Sequence, residues 1–284
     1  MKDIDYTYAV ASVRSRENEI SSKNVLERLV SEDGAEASDY DNILTDAWEY
    51  LSAIAPDKTE LEFMIVRNDF HNFKAVTKAL MAGIDGRKYC IGPSIVDVDF
   101  LNDAIRKKNF DSLPEWISET ARSGYELLTS TSDGRLFDMF VDKAALETMQ
   151  SLAPNNDFCR RLANETAVLA NIKIAKRMPR DDENLLRYAF AECDGINTEE
   201  LAEAVLRGTV DSYAENAGYS ESAAESPETE KRITRLIDEA DFVNFGIEPL
   251  VAYYYKRAEE QSKLRLIARA KRAGYSQEEI KKRL

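Results

Sequence analysis

The residues of this chain that could do chemistry are few and scattered. Its single histidine, His71, stands two positions from Asp69. An Asp–His pair is a familiar general acid/base device, but side chains two positions apart on a helix point about 200° away from each other. The two therefore form no dyad, and His71 reads as a packed or surface histidine. Two acidic groups, Asp97-Val98-Asp99 and Asp181-Asp182-Glu183, carry oxygen ligands suited to a metal. Each falls at an expected helix start, where a carboxylate accepts unpaired N–H groups and complements the dipole. Capping is the better reading, because ligands clustered at one helix start lack the distant partners of a metal cage. Cys90, Cys159 and Cys193 are far apart and odd in number, with no C-x-x-C, which suggests neither a zinc site nor a disulfide framework. The phosphate cradle G-x-x-x-x-G-K-[ST] and the patterns G-x-G-x-x-G, H-E-x-x-H and G-x-S-x-G do not occur. No catalytic residue, metal or cofactor is expected.

What remains unusual is polarity in the wrong place. In RNDFHNFKAVTKAL, Arg67 to Leu80, the apolar residues recur at helical spacing, yet Asp69 and Asn72 share a column with Ile65 and Val76. An acid and an amide three positions apart are neighbours on one face. Inside an apolar column such a pair fixes register between packed helices, provided that its hydrogen bonds are met.

The elements that must position these residues read as helices throughout. Low Gly and Pro usage, 11 and 7 residues, leaves few breaks. Helical spacing runs through Tyr6–Ile20, Val25–Leu29 and Tyr40–Ile54, then from a Thr59/Glu62 capping box to Met81 and Gly83. It continues through 97–108, a Ser112/Glu115 box, Leu136–Ala144, Asp157–Met178 and an Asn197/Glu200 cap. Helices opened by Ser226-Pro227 and Glu248-Pro249 follow, the second reaching Arg272, and Ser276/Glu279 caps a last short one. YCIGPSIVDV, 89–98, reads as a connector because of Gly92-Pro93. The fold class is all-α.

Three long helices carry related cores at roughly hundred-residue intervals: Asn72-Phe73-Lys74, Asn171-Ile172-Lys173 and Lys263-Leu264-Arg265. Asp69 and Glu260 stand three positions ahead of the first and third, whereas Val168 stands ahead of the second. Glu260 with Lys263 reads as the counterpart of Asp69 with Asn72. The interval divides the chain into helical subdomains of about 1–95, 96–200 and 201–284.

The net charge of −14 opposes binding to nucleic acid or to anionic lipid. The first residues lack an apolar core of a leader, and no apolar run is long enough to span a bilayer. A reducing, cytoplasmic setting is the default expectation. Tyr253-Tyr254-Tyr255 cannot all face one side of a helix, so part of this set reads as core and part as a contact surface.

Several segments, in order, resemble the V-type/A-type ATPase component known as the C subunit in bacteria and archaea and the d subunit in eukaryotes. Tyr6-Thr7-Tyr8-Ala9-Val10-Ala11-Ser12-Val13-Arg14 is similar to that family's Y-x-Y-A-x-A-x-x-R, Asp69 to Lys74 to its D-F-H-N-L-K, and Asn171-Ile172-Lys173 to its N-I-K. Gly246-Ile247-Glu248-Pro249-Leu250-Val251-Ala252-Tyr253, Leu264 to Ile267 and Glu278 to Leu284 resemble its G-x-E-P-L-x-A-Y, N-L-R-x-I and E-E-I-x-x-R-L. Lys263 departs from the family's Asn, and Val168 from its acid.

The resemblance implies three similar helical subdomains in a pseudo-threefold funnel. It implies a non-catalytic rotor subunit on the cytoplasmic face of the membrane, a socket joining the central stalk (D/F type subunits) to the membrane rotor ring and passing torque between them. Structural or interface roles then fall to Asp69, His71, Asn72, Lys74, Asn171, Lys173, Glu248, Pro249, Tyr253, Glu260 and Arg265. A free helical scaffold is the alternative class, and a metal-dependent hydrolase using Asp181, Asp182 and Glu183 a more distant one. The acidic surface suits ring loops rich in Lys and Arg.

Overall fold

The computed structural model describes residues 3–32, 36–180, 182–219 and 227–284, and among them there is no strand. The α-helices in chain order are α1 Thr7–Arg16, α2 Lys23–Ser31, α3 Ile43–Ile54, α4 Val66–Met81, α5 Val98–Arg106, α6 Glu115–Thr131, α7 Gly134–Leu152, α8 Asp157–Arg177, α9 Glu183–Leu186, α10 Thr198–Arg207, α11 Val210–Asn216, α12 Pro227–Glu239, α13 Glu248–Arg272 and α14 Gln277–Lys281. Among the described residues the chain is thus all-helical.

The starts of these helices separate real caps from apparent ones. Asp97 accepts the Phe100 N–H, Asn197 those of Glu199 and Glu200, and Ser276 with Glu279 forms a reciprocal capping box. The expected boxes at Thr59 and Ser112 do not form. The N–H and hydroxyl of Thr59 both donate to Asp57 Oδ1, at 2.9 and 2.6 Å, and a 3₁₀ segment Lys58–Met64 leads into α4 at Val66. A carboxylate two residues upstream out-competes a cap three residues downstream. The Ser112 hydroxyl donates back to the Asn109 carbonyl at 2.7 Å, and α6 starts behind Pro114 without a side-chain cap. Ser226 lies outside the described residues; the helix it was expected to open begins at Pro227.

The chain forms two compact units: Met1–Thr59 with Ile237–Leu284, and Glu60–Leu236. The two ends of the chain therefore share one unit. There α13 is the spine. Leu264, Ile267 and Ala270 on one of its stripes meet Leu26 and Val30 of α2 and Ile280 of α14, and Tyr253 meets Tyr50 of α3 edge to face with ring centres 6.1 Å apart.

In the other unit α4, α6 and α7 share a core. Phe73 and Phe137 lie 5.6 Å apart, both fully buried. Gly124 of α6 lets this happen, since a Cβ there would sit 3.2 and 3.3 Å from those two rings. A second cluster joins Ala175 and Met178 at the end of α8 to Leu185, Phe190, Leu201 and Val205.

Candidate functional site: buried polar clasps

Asp69 and Asn72 are fully buried, and what they hold is the connector that follows α4. Asn72 Oδ1 accepts the Ile91 N–H at 2.7 Å while its Nδ2 donates to the carbonyl of the same residue at 3.0 Å. Asp69 accepts the Val96 N–H at 2.8 Å and the Ile95 N–H at 3.1 Å. Asn68 donates to the Pro93 carbonyl at 2.7 Å. His71, on the exposed side, lies with Nε2 at 3.2 Å from the Tyr89 carbonyl, a bond that requires the proton on Nε2. One helix face thus takes up the backbone polar groups of residues 89, 91, 93, 95 and 96, which run antiparallel to it. A connector can lie against an apolar helix only if its N–H and C=O groups are met, and this is why the apolar column is interrupted. The register expected between packed helices is instead register between a helix and its following loop.

Burial sets the charge of this clasp. Desolvation is the largest influence on Asp69 and pushes its pKa up to about 6, while the N–H groups of Val96 and Ile95 pull it down and Glu62 adds to the rise.

The second clasp repeats the first. Asn171, also fully buried, accepts the Ala191 N–H at 3.0 Å and donates to the Ala191 carbonyl at 2.7 Å. Two turns earlier on α8, Asn164 does the same for Asp194, at 2.7 and 3.0 Å, in an exposed setting. At the position matching Asp69, Val168 is buried in an apolar cluster with Leu169, Ile172, Ala214 and Tyr219.

The third clasp belongs to the other unit and draws on the chain's beginning. Glu260 accepts the Ser21 N–H at 2.8 Å. Gln261 Nε2 donates to the carbonyls of Tyr40 and Asp41, at 2.7 and 3.1 Å. Both side chains are buried. Lys263 was expected to share the buried polar column with Glu260, as Asn72 does with Asp69, and the structure corrects that. Lys263 sits on the half-exposed side and pairs with Glu259 at 2.6 Å, while Glu260 itself holds Arg257 at 2.5 Å. The buried register of α13 runs through 260, 261 and 264, so a cation at 263 cannot enter it.

The remaining candidates have plain structural places. Lys74 pairs with Asp142 of α7, and one turn on Lys78 pairs with Asp138 at 2.6 Å. Arg265 pairs with Asp41, its Nε 2.9 Å from the carboxylate. Lys173 is exposed. Glu248 is the first residue of α13, Pro249 lies in its first turn, and Tyr253 is buried against Tyr50. Gly246 just ahead has φ +97, and a Cβ there would strike Glu248 Oε2 at 2.4 Å, so the glycine and the acid are fitted to each other. Arg14 gathers the carbonyls of Ala240, Asp241 and Val243 at 2.8, 3.2 and 3.1 Å. Asp97 and Asp182 serve as helix caps, Asp182 accepting the Leu185 N–H at 3.2 Å; Asp181 lies outside the described residues. Of these contacts, those of Asn164, Gln261 and Arg14 had no assigned role in the sequence reading.

Among the described residues the chain is all-helical, its mid-helix amides and acids bind loop backbone, and His71 is engaged by a carbonyl. The family model described as ATP synthase (C/AC39) subunit matches residues 40–283, and the chain belongs to that family. The chain is also 22% identical over 314 residues to the C subunit of the V-type sodium ATPase of Enterococcus hirae, covering 96% of this chain and 95% of that protein. No helix among the described residues is long and apolar enough to cross a membrane.

Proposed function

We propose that this chain is a non-catalytic rotor subunit of a V/A-type ATPase, a socket that joins the central stalk to the membrane ring and transmits torque between them. It sits peripherally on the cytoplasmic face and works in ATP-driven ion transport or ATP synthesis. Its three helical subdomains, about 1–95, 96–200 and 201–284 by the spacing of the repeat, stand around a pseudo-threefold axis as a funnel. Membership of the ATP synthase (C/AC39) subunit family carries this reading, and the clasps support it physically. Torque passes through a body without loss only if its loops do not yield, and buried, fully paired polar groups stiffen them. The net charge of −14 complements basic ring loops.

The test is co-purification of the tagged chain with the stalk subunits and the ring of its own ATPase. The reading predicts capture of both; clean recovery of the chain alone under conditions that keep the complex intact overturns it.

A further inference from the structure

The division between the two units, at Leu236 and Ile237, falls inside α12, Pro227–Glu239. The other crossing, from Thr59 to Glu60, falls in the 3₁₀ segment Lys58–Met64. A 3₁₀ turn has poorer hydrogen-bond geometry than an α-helix, so α12 is the stiffer of the two covalent links. Each unit holds its own part of α12 with an arginine. In Glu60–Leu236 this is Arg232, in the first half of the helix. Its Nη2 donates to Glu165 Oε1 of α8 at 2.8 Å, its Nη1 to the Gly218 carbonyl at 3.0 Å, and its guanidinium lies 4.1 Å from the centre of the Tyr219 ring. Tyr219 is itself buried against Leu169 and Ile172 of α8, and its hydroxyl donates to Glu165 at 3.3 Å.

In the other unit α12 runs on into a 3₁₀ turn, Ala240–Phe242. The last carbonyls of a helix lack donors of their own, and here Arg14 of α1 supplies them, taking the carbonyls of Ala240, Asp241 and Val243 on one Nη2. Its Nη1 lies 3.5 Å from the Asp241 carboxylate, which pairs on its other side with Lys256 of α13. The planar fork of arginine reaches several acceptors at once, which an ammonium cannot reproduce. We infer that α12 is a clamped strut that couples the two units so that they open together, with Arg14 and Arg232 as the positioning residues at its two ends. A rod carries load between two bodies only while both ends are fixed. The clamps therefore act in one path, and loss of either is enough to break it. This coupling belongs to the chain itself, so its test is separate from that of the socket role.

The experiment is urea unfolding of the full chain, followed by Trp48 in one unit and by Trp116 in the other, each alone after Phe replaces its counterpart. With the arginines intact the two midpoints coincide. In Arg14→Lys and in Arg232→Lys they separate by at least about 0.5 M urea, and the double variant separates them no further than the wider single one. Arg122→Lys is the control: Arg122 is as accessible as Arg232, 37% each, and also pairs with a carboxylate, yet it lies on α6. Its midpoints stay together. Midpoints already apart with the arginines intact, or still coincident in both clamp variants, overturn the strut. Separation in one clamp variant alone overturns the role of the other arginine. Should a clamp variant fail to fold, Arg235→Gly decides. Arg235 is exposed on α12 next to the division, and a glycine there softens the helix without touching either clamp. The same separation is expected of it, and coincident midpoints overturn the strut.

Discussion

Asn171 and Asn164 lie two turns apart on α8 and make the same pair of bonds, each to the N–H and carbonyl of one loop residue. They differ in burial. Asn171 and its partner Ala191 are fully buried, while Asp194 is exposed. Replacing each by Leu, a side chain of similar size, isolates that difference. In Asn171→Leu two buried backbone groups lose their partners, at about 1–3 kcal/mol each, and the added apolar burial returns about 1–2 kcal/mol. At the centre of these ranges the net loss is about 2–3 kcal/mol. In Asn164→Leu water replaces the amide, and the change stays below about 1 kcal/mol. The chain has two tryptophans, Trp48 in one unit and Trp116 in the other. A Trp48→Phe background therefore makes urea unfolding by fluorescence a report on the unit that holds both asparagines. Equal losses for the two variants, within about 1 kcal/mol, would refute the claim that buried pairing gives the clasp its strength.

The other clasps yield further expectations. Because burial raises the Asp69 pKa to about 6 in the folded chain, the folded state binds its proton more tightly than the unfolded one, and this contribution is full below about pH 4 and fades as pH rises through about 6. Stability of wild type relative to Asp69→Asn should accordingly fall by about 2 kcal/mol between pH 4 and pH 7, read by Trp116 fluorescence in urea; a flat difference contradicts it. Glu260→Ala leaves Arg257 largely buried without its carboxylate and should cost about 3–5 kcal/mol in the unit of Trp48, with Glu260→Gln milder. Lys74→Met should cost less than about 1 kcal/mol in the same kind of unfolding assay, since Asp142 is 44% exposed.

The sequence made much of this legible, and its silences have a physical pattern. Helix positions, the caps at Asp97, Asn197 and Ser276, and the polar intrusions at Asp69, Asn72 and Asn171 are local signals, set by spacing of three and four. Partners in loops carry no periodicity. That Asn72 holds Ile91, or that Gln261 holds Tyr40 and Asp41, depends on where a distant connector returns. Asn164 looked like any surface amide for the same reason. Lys263 was misplaced because alignment by spacing follows residue identity, whereas burial on α13 follows the stripe of Leu264 and Ile267. Thr59 and Ser112 fit a capping pattern, yet Asp57 and the Asn109 carbonyl lay closer.

The central claim is that this chain carries torque and does no chemistry. Vesicles bearing the complete ATPase, prepared with and without the chain, test it in one measurement of ATP-driven ion uptake alongside ATP hydrolysis. The account predicts that omission abolishes uptake while the catalytic head still hydrolyses ATP. Undiminished uptake without the chain would contradict it.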